Sequence, residues 1–220
     1  MATATSTRDT TRIDSIIIGT MTATLAAAMI VYAVQYAKPA WDYAQTEPRY
    51  TEAVKGKIPG VVELDALTRS LRSSASKADL SRAAFVQMLT AQQLGLKSFR
   101  ALTRLTSARR DLRLGLAAAP SDAYAWSRLA VAELELSNPV AAAGALSMAM
   151  QLAPSDRVLT PMHFDLGVVL WSQLDRNART SLAQRLKWAQ HVPELNQTVR
   201  GNSAMALQAK LSPAIAPPPD

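Results

Sequence analysis

The chain is predicted to be all-α, and three observations predict it. Apolar residues recur at helical spacing in successive stretches, turn residues interrupt those stretches, and a tetrapeptide repeats after one helix-turn-helix length. Ala119-Pro120-Ser121-Asp122 returns as Ala153-Pro154-Ser155-Asp156, 34 residues later. That period is the length of a helical pair that cannot bury its apolar face alone and stacks on copies of itself.

The first element is expected to be a membrane span. After a short tail, residues 1–14, no charged residue occurs from Ser15 to Ala37. An apolar run of this length can cross a hydrocarbon core of about 30 Å at about 1.5 Å per residue. Tyr32, Tyr36, Trp41 and Tyr43 cluster at its C-terminal edge, where amphipathic rings favour the interface. A retained transmembrane helix over 15–37 is the expectation; a cleaved signal peptide, through Val31-Tyr32-Ala33, is the alternative. Arg8 and Arg12 before the span face Lys38 and Arg49 after it, a near balance that leaves the amino terminus on the cytoplasmic side and the following domain outside. Gly19, Ala23 and Ala27 recur at four-residue spacing, which lets transmembrane helices pack closely; an alanine-rich span also shows such spacing by chance.

Residues 38–60 carry Pro39, Pro48, Gly56, Pro59 and Gly60 and read as a spacer. Helical patterning resumes near Val61 and continues to residue 211. Trp126, Leu129, Ala130, Leu134 and Leu136 form an apolar stripe over 123–136, which Ser137-Asn138-Pro139 breaks. Asn138 suits an N-cap and Pro139 a first helical turn, where no donor is required. Ala142, Ala145, Leu146, Ala149 and Leu152 make the second stripe, ended by Pro154. Upstream, Leu94-Gly95 precedes Leu129-Ala130 by 35 residues, so one surplus residue is expected in a turn near Thr103 to Thr106. Downstream, Leu166-Gly167 follows by 37 residues, with the surplus near Leu159-Thr160-Pro161 and a partner helix over 176–190. A last helix, about Glu194 to Lys210, caps the array, and the proline-rich tail 212–220 is expected to be disordered.

The stretch from Ala123 resembles the tetratricopeptide repeat (TPR) family: Trp126, Leu129, Ala130, Ala142, Leu146, Ala149 and Pro154 stand where that pattern places an aromatic, Leu, small, Ala, large apolar, Ala and Pro residue. Glu133 departs from it at a position usually held by Tyr. The resemblance implies a stack of about three helical hairpins plus a capping helix, and a binding scaffold rather than a catalyst. It implies a partner groove lined by Tyr124, Ser127, Val131, Leu134 and Glu135. Ser127 and Val131 stand where some members clamp a peptide carboxylate with Lys and Asn, so a helix-in-groove or subunit contact is favoured. The arrangement also looks like bacterial inner-membrane adaptor proteins, and residues 165–188 resemble small TPR-like proteins of envelope or exopolysaccharide export. The Ala-, Leu- and Arg-rich composition fits a GC-rich bacterial genome.

Charge is uneven. The chain carries +7, yet ten basic residues from Arg69 to Arg113 face only Asp79 and Asp111, so that segment alone holds +8. Arg100, Arg104, Arg109, Arg110 and Arg113 are candidates for anionic lipid head groups. Nucleic acid is disfavoured, because only Phe85 and Phe99 offer stacking surface there. A solvated basic helix face is the plain reading of such a run.

Chemistry-bearing groups are sparse. There is no cysteine, and the two histidines, His163 and His191, lack metal-ligand spacing. The eight glycines form no phosphate loop. His163, beside Phe164, reads as a packed or hydrogen-bonded residue, and His191 as one at a helix end. The expectation is a non-enzyme without cofactor: a single-pass, inner-membrane TPR-like scaffold with a periplasmic domain, binding other proteins. The alternative is an accessory structural subunit of a larger integral-membrane complex.

Overall fold

The computed structural model describes residues 46–57, 59–73 and 78–211, with Met29 alone before them. The chain divides into two compact units, Met1–Pro48 and Arg49–Asp220. Among the described residues, the regular elements of the second unit are all helical: residues 49–54, then α1 (Val61–Ser73), α2 (Ala78–Gln93), α3 (Phe99–Ala118), α4 (Ala123–Glu135), α5 (Pro139–Leu152), α6 (Thr160–Val169), α7 (Arg176–Ala189), a 3-10 turn (Pro193–Leu195), α8 (Asn196–Arg200) and α9 (Asn202–Leu211). Helices adjacent in sequence pack together from α1 to α5, and α9 returns against α6 and α7.

Local chemistry sets the helix ends. Ser98, Asp122 and Asp175 are N-caps whose side-chain oxygens accept from Ala101, Ala125 and Ala178 amides, satisfying donors the first turn leaves free. Pro139 opens α5, but Asn138 makes no capping bond; its amide donates to Glu133 Oε2 at 3.1 Å. The turn between α4 and α5 closes through Ser137 at φ 61°, a left-handed conformation that lets the Asn138 backbone amide reach the Glu133 carbonyl at 2.8 Å. Gly95, at φ 78°, ends α2 in the same way.

Two apolar cores result among the described residues. Tyr50, Ala53, Leu64, Leu67, Leu71, Ala83, Val86 and Leu89 bury the segment 49–54 against α1 and α2. The larger core runs from Ala84 of α2 to Leu207 of α9, with alanines Ala108, Ala130 and Ala142 fully buried in it. The expected spacer 38–60 thus contains helix, and Tyr50 and Ala53 in it are core residues.

Several expectations require correction. The transmembrane helix expected at 15–37, Met29 apart, and Gly19, Ala23 and Ala27 in it, lie outside the described residues. Among the described residues no helix is long and apolar enough to cross a membrane. The membrane-anchored scaffold, its inner-membrane and periplasmic placement, and the alternative as a subunit of a membrane complex therefore have no spanning helix to rest on and are set aside. What stands is an all-α domain of stacked helices.

The TPR array is corrected too, because its echoes do not recur structurally. Leu129-Ala130 lies within α4 and Leu166-Gly167 within α6, but Leu94-Gly95 sits in the turn that ends α2. Thr103 to Thr106, expected as a turn, lie inside the 20-residue α3. After the first Ala-Pro-Ser-Asp, Asp122 caps α4 directly; after the second, Asp156 Oδ1 accepts the Val158 and Leu159 amides and α6 starts only at Thr160. The expected single capping helix is a 3-10 turn and two short helices, parted at Gly201.

Candidate binding site

One side of α4 forms the floor of an open trench of about 600 Å³. Trp126, Leu129 and Glu133 come from α4, with Arg113, Leu116 and Ala117 of α3 along one wall and Ala141, Gly144, Ala145 and Met148 of α5 along the other. Small residues on α5, Ala141, Gly144 and Ala145, leave the trench open. A β-carbon built on Gly144 meets nothing within 4 Å, so α5 leaves space that a larger residue would fill. Trp126 is half-buried against the core, and its indole nitrogen donates to the Pro120 carbonyl at 2.8 Å. The ring is thereby fixed as an apolar surface with its one donor satisfied.

One end of the trench is charged. Glu133 is almost fully buried, and Arg113 Nη2 donates to its Oε1 at 2.6 Å while Arg109 Nη1 lies 3.6 Å from Oε2. Two guanidinium groups thus face one carboxylate, which leaves local positive charge. The Arg113 side chain is 59 % exposed and Arg110, one turn away, 74 %. The floor is apolar and one rim cationic.

The residues expected to line a partner groove fall on the opposite side of α4, much of it closed by the chain itself. Ser127 is fully buried: its hydroxyl donates to the Ala123 carbonyl at 2.8 Å and lies 2.8 Å from His163 Nε2. With the hydroxyl proton on Ala123, Nε2 carries the imidazole proton and donates to Ser127. His163 Nδ1 then has no hydrogen-bond partner among the described residues. Tyr124 donates to Asp156 Oδ2 at 3.0 Å, while Val131, Leu134 and Glu135 are half-buried. Beside them Arg128 stacks on Phe85 (4.6 Å to the centroid) and donates to the Tyr50 hydroxyl at 3.2 Å.

Electrostatics follow from this closure. Burial, aided by the nearby Arg185 charge, holds His163 down to about 3, so the imidazole is neutral. Burial would raise Asp156, but hydrogen bonds from the Leu159 amide, the Tyr124 hydroxyl and the Val158 amide, with Arg185, bring its carboxyl below its ordinary value. Tyr124 is raised by burial and by its bond to Asp156.

The five arginines proposed for lipid contact do not form one patch. Arg104 pairs with Asp65 of α1 at 2.8 Å, Arg109 and Arg113 turn toward Glu133, and Arg100 and Arg110 are exposed. Helix rotation separates residues four apart from those five or nine apart, so an arginine-rich segment splits between two neighbouring helices. The anionic-lipid expectation is therefore set aside. Asp111, one of two acidic residues in the segment, is buried and accepts from Arg72 at 2.7 Å and Gln87 at 2.9 Å, tying α1, α2 and α3 together.

Sequence reasoning missed Glu133 and Gly144 as trench residues. A carboxylate inside an apolar stripe, and a run of four small residues in 141–144, were the available signals. The chain matches no protein-family model, no curated protein and no solved structure, so the TPR resemblance has no support beyond the residues that suggested it.

Proposed function

We propose that this domain is a non-catalytic protein-binding module whose trench between α3 and α5 receives an amphipathic segment carrying apolar side chains and a carboxylate. The observation that carries the reading is the open apolar lining of Trp126, Leu129 and Met148 beside two arginines that share one buried carboxylate. Apolar anchors buried in such a groove supply affinity, and charge complementarity at the rim supplies orientation and specificity. The hydroxyl–imidazole pair of Ser127 and His163, which a catalytic reading would use, is sealed from solvent. Among the described residues no cluster of His, Asp or Glu can hold a metal ion.

Selection from a displayed library of random 15-residue peptides tests this reading. The expected winners combine apolar residues at helical spacing with Asp or Glu, and lose at least about tenfold in affinity against Arg113→Glu. A library that yields only basic or purely polar binders, or binders indifferent to Arg113→Glu, contradicts the proposal.

A further inference from the structure

Away from the trench, Arg185 is a cation in the core without an ion-pair partner among the described residues. The residue is 2 % exposed. Its Nη1 donates to Thr160 Oγ1 at 3.1 Å and lies 3.5 Å from the Asp156 carbonyl, and its Nη2 donates to the Ala153 carbonyl. Every one of these acceptors is uncharged. Among the described residues no carboxylate comes within ion-pair distance of it. Asp156, the carboxylate that influences it, is committed elsewhere, to the Val158 and Leu159 amides and the Tyr124 hydroxyl.

A cavity of about 270 Å³ between α5 and α7 opens on the same side chain. Arg185 is at its buried end, Gln151, Ser155 and Gln184 are exposed at its mouth, and Ser181 and Trp188 are half-buried. Hydroxyl and amide groups therefore line a cavity that reaches the Arg185 side chain, with an indole as an apolar wall. A buried cation satisfied only by neutral acceptors gains most from a charged one, and guanidinium geometry matches a carboxylate. We infer that the cavity between α5 and α7 is a binding site for a carboxylate, presented either by a peptide C-terminus or by an acidic side chain.

The test uses the full chain and three probes: N-acetylglycine, an α-carboxylate; N-acetylglutamate α-amide, a side-chain carboxylate; and neutral N-acetylglycinamide. Calorimetry and tryptophan emission, with Trp188→Phe as the optical control, report binding. At least one acid is expected to saturate with a Kd on the order of 1 mM. The neutral amide should bind at least about tenfold more weakly, and the tighter acid identifies the source of the carboxylate. Gln184→Glu places a carboxylate at the mouth; it is expected to raise the melting temperature and abolish acid binding. Equal binding of acid and amide, no saturation by either acid, or sulfate binding as tightly as the acids overturns the assignment. So does a Gln184→Glu protein that melts no higher and binds the acids undiminished.

Discussion

The two sides of α4 differ in what they leave open. The side bearing Trp126, Leu129 and Glu133 lines an open trench, where Gly144 leaves unfilled space. The side bearing Ser127 and Arg128 is closed by His163, Phe85 and Tyr50. One helix thus presents surface in one direction and hydrogen-bonded structure in the other. The residue sizes explain it: a β-carbon on Gly144 would reach no neighbour, whereas histidine, tyrosine and arginine side chains on the closed side span the gap between helices.

The largest expected contrast is a pH effect confined to the closed side. His163 is held to about 3 in the fold against an ordinary 6.5, so between those values the unfolded chain binds a proton the folded chain does not. Stability should fall by about 1.4 kcal/mol per pH unit as pH drops from 6.5 toward 3. Asp156, lowered in the fold, adds to the loss only as pH falls below its ordinary 3.8. Urea titrations from pH 7 to 4 should show this slope in the wild type and lose most of it in His163→Gln. An unchanged slope in the variant would remove His163 from the account.

Bulk added to each side gives the next contrast. Ser127→Leu overfills a sealed site and strands His163 Nε2, for an expected loss of about 3 kcal/mol. Gly144→Leu projects into open space and should stay within about 1 kcal/mol of the wild type, since losing a helical glycine favours folding. Comparable losses at the two positions would mean that the trench is packed rather than open. Chemical denaturation of the two variants supplies the comparison.

The duplicated tetrapeptide sharpens the contrast further. Asp122 makes one capping bond, so Asp122→Ala should cost about 1 kcal/mol. Asp156 accepts two amides and the Tyr124 hydroxyl, so Asp156→Ala should cost roughly 2–3 kcal/mol. Equal losses would say that the copies are equivalent after all. The smallest effect belongs to Ser137→Gly: relieving a left-handed non-glycine residue should stabilise by about 0.5–1 kcal/mol in thermal melts.

Helix positions were legible where local chemistry decides them. The stripe from Ala123, the Pro139 start, the Pro154 stop, the onset at Val61 and the expected helix 176–190 all fall within a residue or two of α4, α5, α1 and α7. His163 is buried and hydrogen-bonded, as its neighbourhood suggested. The array and the site were not legible, because both depend on which helices meet. The Leu94-Gly95 dipeptide matches its counterparts in type, yet Gly95 is free to take φ 78° and ends a helix instead. Arg185 lies on a polar-looking helix, and only the approach of α5 and α6 makes it a core residue. The groove was expected on one face of α4 by analogy, and side-chain size opened the other.

The central claim, that the trench between α3 and α5 is the binding surface, is tested most directly by one affinity ratio. A library-selected acidic amphipathic peptide is titrated into the wild type and into Gly144→Leu, at a temperature where both are folded. Filling the trench should weaken binding at least about tenfold while Ser155→Ala, at the other cavity, leaves it unchanged. Equal affinity for wild type and Gly144→Leu would place the peptide elsewhere and contradict the claim.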